Sequence, residues 1–315
     1  MCLLELVYFD IHMRKLFLIG AFAALALSLA AQPAMPQGAG ARPQGGRTGG
    51  FAGFFGPRVD TVKVWPNGAP NAFPPSKSSD GKEYSEAILE IYPARNPNGL
   101  CVLMCPGGGY AVLSLTHEGR DFHTWFNNRG ITFCMIQYRL PRGHADVPLS
   151  DVQEAMRIIR SRTDLGVTKL GVMGTSAGGH LAATASTLYT DEVTRPDFQI
   201  LVYPVTTMDL SYTHKGSYDG LLGENPSPET VVRYSPDRQV TSDTPPAFII
   251  AASDDFLVPV KNSLSYYQAL VDNHVSATLH MYPSGGHGFG WGENFRYKDE
   301  FGAELDAWIN SILLK

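Results

Sequence analysis

Cysteine is scarce in this chain, strong charge of either sign is missing, and no apolar run is long enough to span a bilayer. Cysteine occurs only four times in 315 residues, at positions 2, 101, 105 and 134. With Cys2 in a removed leader, an odd number is left. Cys101 and Cys105 stand four apart on one apolar stretch, too far to bridge at a rise of ~3.3 Å per residue. No disulfide framework is expected, and the three thiols read as small buried apolar residues. The formal net charge is −5 with 17% charged residues, which leaves no basic footprint for nucleic acid. No internal repeat is present. The longest apolar run, residues 16–31, falls short of the roughly 20 residues that cross a membrane.

That run has a different reading. Met13-Arg14-Lys15 precedes it and small residues close it, the pattern of a secretory signal. Residues 1–31 are expected to be a signal peptide, with Met13 as the true start. No cysteine stands at the cleavage region to carry a lipid, so no stable membrane association is expected after cleavage, and the mature chain is placed as secreted or periplasmic. Residues 32–57 are rich in Gly, Pro, Gln and Ala, a composition that cannot bury a core, and read as a disordered linker. Residues 58–315 remain for one domain.

The most informative stretch of that domain is Leu170-Gly171-Val172-Met173-Gly174-Thr175-Ser176-Ala177-Gly178-Gly179-His180. It places Gly-x-Ser-x-Gly between an apolar strand and an Ala-rich helix, the context in which the motif presents a strained, exposed serine hydroxyl. A serine hydroxyl needs a base, and the base needs an orienting acid. On such elbows the chain order is Ser, then Asp or Glu, then His. Residues 247–252 read as a buried strand running into Ser253-Asp254-Asp255, and residues 277–282 as a strand followed by Pro283-Ser284-Gly285-Gly286-His287-Gly288. Both candidates follow the carboxyl ends of late strands, where open α/β sheets build their sites. Asp255 is favoured as the acid over Asp254, whose alternative role is a turn or helix-capping carboxylate. His287, on a glycine-rich loop, is favoured as the base. His280 lies inside a strand, and His180 lies on an element leading away from the serine.

Residues 100–105 read as a central strand, followed by Pro106-Gly107-Gly108-Gly109-Tyr110. The glycine run carries no phosphate-cradling signature. Placed on an early strand, it suits an oxyanion hole, with the amides of Gly108, Gly109 and Ala177 as donors. Tyr110 and Glu118 are candidate substrate contacts. For Glu118, as for Arg139, an ion pair holding the glycine loop or a strand end is the favoured reading.

With these residues in view, the chain from about residue 62 onward resembles secreted bacterial carbohydrate esterases of the α/β-hydrolase superfamily, the bifunctional feruloyl and acetylxylan esterase group above all. The resemblance rests on residues 106–110, His117-Glu118-Gly119, Tyr138-Arg139-Leu140-Pro141, Asp151-Val152-Gln153-Glu154-Ala155, the elbow, Pro245-Pro246 and Gly285-Gly286-His287-Gly288-Phe289. Pro106 stands where the related hormone-sensitive-lipase group has histidine. The resemblance implies an α/β fold with a mostly parallel central sheet and helices on both faces. It further implies hydrolysis of short acyl esters of a carbohydrate such as xylan, without metal or cofactor. Two other readings stay open: a serine exopeptidase on the same fold, separable by testing peptide amides, and a non-catalytic glycan-binding protein on a hydrolase scaffold.

The remaining pattern sketches the layers. Strands are expected at 59–64, 87–92, 131–138, 169–173 and 199–203, and helices at 119–129, 147–163, 263–272 and 301–314. Residues 204–244 show no clear strand. They carry Tyr212, His214, Tyr218, Leu221, Leu222 and Tyr234 and are expected to form the wall over the site, where aromatic rings could stack on a sugar or simply pack on the core.

Overall fold

Six consecutive apolar residues form strand β3, Leu100–Cys105, and all six are buried. Only a sheet covered on both faces accepts such a run. Alternate side chains point to opposite faces. Cys101, Leu103 and Cys105 join one buried cluster, and Leu100, Val102 and Met104 join the other. The computed structural model describes residues 59–75 and 77–313; the leader and linker expected at 1–31 and 32–57 lie outside them.

The other strands are β1 (Asp60–Lys63), β2 (Ile88–Tyr92), β4 (Thr132–Gln137), β5 (Lys169–Thr175), β6 (Phe198–Val202), β7 (Ala247–Ala252) and β8 (Ala277–Tyr282). They form one eight-stranded sheet in the order β1-β2-β4-β3-β5-β6-β7-β8. β1 pairs antiparallel with β2, and β2 with β4; every other pair is parallel. The helices are α1 (His123–Asn127), α2 (Asp146–Ser161), α3 (Ser176–Thr187), α4 (Lys215–Leu222), α5 (Pro228–Arg233), α6 (Lys261–Asp272) and α7 (Lys298–Leu313).

The first cluster takes Val152, Ala155, Met156 and Ile159 of α2, Leu181, Ala182 and Ala185 of α3, and Tyr266 and Leu270 of α6. The second takes Phe126 of α1 and Phe301, Leu305, Trp308 and Ile309 of α7. Helices therefore cover both faces, as the sequence implied. The helix expected over 119–129 is shorter: a 3-10 turn at Arg120–Phe122 precedes α1. The amides of Phe122 and His123 bond to the carbonyls of Gly119 and Arg120, three residues back, which tightens that first turn. The segment 204–244 has no strand but does contain α4 and α5.

Topology places the site. From β3 the chain crosses to β4 on one side and returns to β5 on the other, so the strand order reverses there. Such a switch point opens a crevice at the carboxyl ends of the strands. β3 and β5 run side by side with Cys105 opposite Gly174, so the glycine loop and the Ser176 turn leave the sheet as neighbours. The three described cysteines are free and buried in strands. Among the described residues no helix is long and apolar enough to cross a membrane.

Candidate active site

β5 ends at Thr175, and Ser176 begins α3 with φ +54°. A serine in the left-handed region costs about 1–3 kcal/mol and persists only where its surroundings enforce it. Here the enforcement is steric. A Cβ on Gly174 would lie 2.1 Å from the Gly178 carbonyl oxygen, and one on Gly178 would lie 2.1 Å from the Cys105 carbonyl oxygen. Only glycine at both positions lets the turn close this tightly on itself and on β3. The Ser176 carbonyl accepts the Val205 amide at 3.1 Å, which ties the elbow to the chain after β6.

Ser176 Oγ lies 2.8 Å from His287 Nε2, and His287 Nδ1 lies 2.7 Å from Asp255 Oδ2. A carboxylate beside Nδ1 holds the ring proton there and leaves Nε2 free to accept the serine proton. The second oxygen of Asp255 is also occupied: Oδ1 accepts the amides of Leu257 at 3.0 Å and Val258 at 2.9 Å. The acid is thus fixed by its own turn after β7. Asp254 points elsewhere, and its Oδ1 accepts the Gly286 amide at 2.7 Å. It holds the neighbour of His287 across 32 positions and is no local turn or cap carboxylate. His280 packs within β8 on Phe248 and meets Glu304 at 3.1 Å.

The glycine loop folds back after β3. The amides of Ala111 and Val112 bond to the Gly108 carbonyl, and that of Ser114 bonds to the Gly107 carbonyl. Gly108 has φ +125°, and a Cβ there would lie 2.2 Å from the Val112 carbonyl oxygen. The N–H groups of Gly108, Gly109 and Ala177 donate to no acceptor among the described residues. Ala177 lies in the first turn of α3, where helical amides have no partner within the helix. Free amides on neighbouring elements are what an oxyanion requires.

The remaining candidates are turned inward. Tyr110 is only 2% exposed, and its hydroxyl donates to His180 Nδ1 at 2.8 Å while His180 Nε2 donates to the Tyr234 carbonyl at 2.8 Å. Burial pushes the His180 pKa down to about 4, so the ring stays neutral and the chain of bonds keeps its direction. Tyr110 therefore anchors the loop to α3, with its hydroxyl proton committed to His180. Glu118 is 7% exposed. Its carboxylate lies under Gly107, where a Cβ would come within 2.8 Å of both oxygens, and Oε1 accepts the Tyr203 hydroxyl at 3.0 Å. Among the described residues it forms no ion pair, and its mapped side-chain bond points into the protein. Arg139 does form the expected pair, with Asp151 at 2.7 Å, both buried. Burial raises the Asp151 carboxyl, and the guanidinium opposes that rise.

A family model for the alpha/beta hydrolase fold matches residues 102–290, from β3 through the His287 loop. The chain belongs to the α/β-hydrolase fold family. The chain is 42% identical over 242 residues to an acetylxylan esterase of Xylanibacter ruminicola, covering 75% of this chain and 49% of that protein. It is 35% identical over 205 residues to an endo-1,4-beta-xylanase B of Butyrivibrio fibrisolvens, covering 60% of this chain and 32% of that protein. The chain thus spans about half the length of the first and about a third of the second. Among solved structures, the acetyl ester-xyloside bifunctional hydrolase from Caldicellulosiruptor lactoaceticus superposes with a TM-score of 0.69 at 34% identity, covering 81% of this chain and 97% of that one.

One residue at this site was missed in the sequence. Tyr203, just past β6 with φ +37°, packs its ring on His287 with centroids 4.8 Å apart. Its hydroxyl donates to Glu118 and accepts the Gly290 amide at 2.8 Å. Burial raises its pKa, and the Glu118 charge adds to the rise, so it remains a phenol. The available signal was its place at a strand end beside the elbow. Of the wall expected at 204–244, Leu221, Leu222 and Tyr234 are core residues and Tyr218 packs on the same core. His214 stands beside the glycine loop.

Proposed function

We propose that this hydrolase is a serine esterase that removes short acyl groups, acetyl first and feruloyl as a further class, from xylan-type carbohydrate. The observation that carries the reading is the unbroken relay from Asp255 through His287 to Ser176, with links of 2.7 and 2.8 Å. Ser176 Oγ attacks the ester carbonyl carbon as its proton passes to His287 Nε2. Asp255 accepts the Nδ1–H on the other edge of the imidazole and stabilises its charge. The carbonyl oxygen, now negative, receives the amides of Gly108, Gly109 and Ala177. When the intermediate collapses, Nε2–H protonates the departing sugar oxygen and the acyl group stays on Ser176. Water then gives a proton to His287, attacks the acyl carbon and releases the acid, and the serine hydroxyl is restored. The scheme uses these side chains and amides alone.

Likeness to an acetylxylan esterase over three quarters of the chain supports the substrate class. The wall supports a short acyl group. Its apolar residues Leu221, Leu222 and Tyr234 are committed to the core. The basic start and apolar core of residues 13–31 support export, to the medium or the periplasm, where such glycans are met.

Acetate release from acetylated xylo-oligosaccharides, together with kcat/KM for acetyl, butyryl, octanoyl, feruloyl and peptide-amide substrates, tests the reading. Discrimination of ~1–3 kcal/mol per methylene leaves some butyryl turnover. Ser176→Ala should lower kcat by about 10,000-fold or more with folding intact. An optimum at octanoyl moves the protein to lipase chemistry, a preference for peptide amides moves it to the exopeptidase reading, and an active Ser176→Ala removes the triad.

A further inference from the structure

His214 lies close to the triad and has no part in the scheme above. It caps the start of α4: Nδ1 accepts the Ser217 amide at 3.3 Å and lies 2.8 Å from Ser217 Oγ. With Nδ1 engaged as an acceptor, a neutral ring carries its proton on Nε2. Burial holds this histidine below its ordinary range, the nearby His287 charge acts in the same direction, and Asp255 opposes both. The ring is therefore a single N–H donor at neutral pH. Nε2 has no hydrogen-bond partner among the described residues.

Its position is set by the glycine loop. A Cβ on Gly109 would lie 3.6 Å from His214 Cε1, and one on Gly220 of α4 would lie 3.3 Å from the Gly109 carbonyl oxygen. α4 thus lies along the oxyanion loop with His214 at its leading end. Gly216 leaves room for the ring: a Cβ there would come within 3.1 Å of Cε1.

An ester has two oxygens, and both are already served. The carbonyl oxygen takes the loop amides, and the leaving oxygen takes the proton of His287. An additional neutral donor beside them has only the alcohol's own oxygens to meet. We infer that His214 Nε2–H donates a hydrogen bond to a hydroxyl of the sugar alcohol next to the esterified carbon, and so selects carbohydrate esters over esters of simple alcohols. The inference rests on the carbohydrate-ester reading given above.

The test compares acetylated xylobiose with p-nitrophenyl acetate, whose alcohol has no hydroxyl beside the ester. In His214→Asn the shorter side chain still caps α4, since asparagine is among the best N-caps, but no donor reaches as far. The ratio of kcat/KM for the sugar ester to that for the aryl ester should fall about tenfold, mainly through KM, as loss of one neutral hydrogen bond implies. His214→Gln returns an N–H at similar reach and should recover at least about threefold of the loss. A ratio within about twofold of wild type in His214→Asn overturns the inference, and so does a Gln variant no better than Asn. Wild-type enzyme that hydrolyses p-nitrophenyl acetate but releases nothing from acetylated xylobiose would instead bring down the carbohydrate reading, and the inference with it.

Discussion

Tyr203→Phe removes one oxygen atom and tests whether the site is braced from beneath. That hydroxyl makes two bonds, 3.0 Å to Glu118 Oε1 and 2.8 Å from the Gly290 amide. The first reaches a carboxylate that is 7% exposed, and a bond to a charged group contributes about 1.5–3 kcal/mol. The second leaves a buried amide without its acceptor, for roughly 1–3 kcal/mol more before relaxation. A net loss of about 3 kcal/mol is expected. In a domain of this size each kcal/mol moves the melting point by roughly 2–4 °C, so Tm should fall by about 6–12 °C in a calorimetric scan at pH 7. The phenyl ring still packs on His287, so kcat should stay within about tenfold of wild type. Glu118→Gln in the same background should show a coupling of about 1–2 kcal/mol with Tyr203→Phe. A melting point within about 2 °C of wild type, or strict additivity of the two changes, refutes the brace.

Three further outcomes are expected. Asp255→Asn should lower kcat by about 10,000-fold by presenting the wrong tautomer to His287, whereas Asp254→Asn keeps an acceptor for the Gly286 amide and should lose far less; steady-state kinetics showing the reverse order would reassign the acid. Gly178→Ala drives a Cβ to 2.1 Å from the Cys105 carbonyl oxygen, so the elbow must shift against the oxyanion loop; a displacement near 1 Å costs on the order of 100-fold in kcat, and unchanged kinetics would contradict the packing. His180, held at a pKa of about 4 against an ordinary 6.5, binds its proton more readily unfolded; its contribution is complete above pH 6.5 and is lost as the pH falls toward 4, by up to about 3 kcal/mol. Urea titrations should therefore show a flatter stability profile in that window for His180→Gln, and parallel profiles would refute the assignment.

The parts of this protein legible in the sequence are those set by short-range sterics and alternation. Gly174 and Gly178 announce the elbow because no side chain fits where β5, α3 and β3 converge. The apolar run 100–105 announces a covered parallel strand, and the glycines after it a loop with free amides. Asp255 and His287 could be placed because strand ends in an open α/β sheet converge on one edge, and chain order then pairs them with Ser176. Tertiary structure decided what each polar group near that edge touches. Tyr110 follows a conspicuous glycine run, yet its hydroxyl is spent on His180, 70 positions away. Glu118 reads as half of an ion pair, but its partner is a tyrosine 85 positions on. Asp254 looks like a local cap and instead holds the Gly286 amide. These partners come from strands and loops that meet only after the sheet has formed in its crossed order. A hydrogen bond depends on distance and direction in space, and spacing along the chain carries neither once the separation exceeds a turn or a helix.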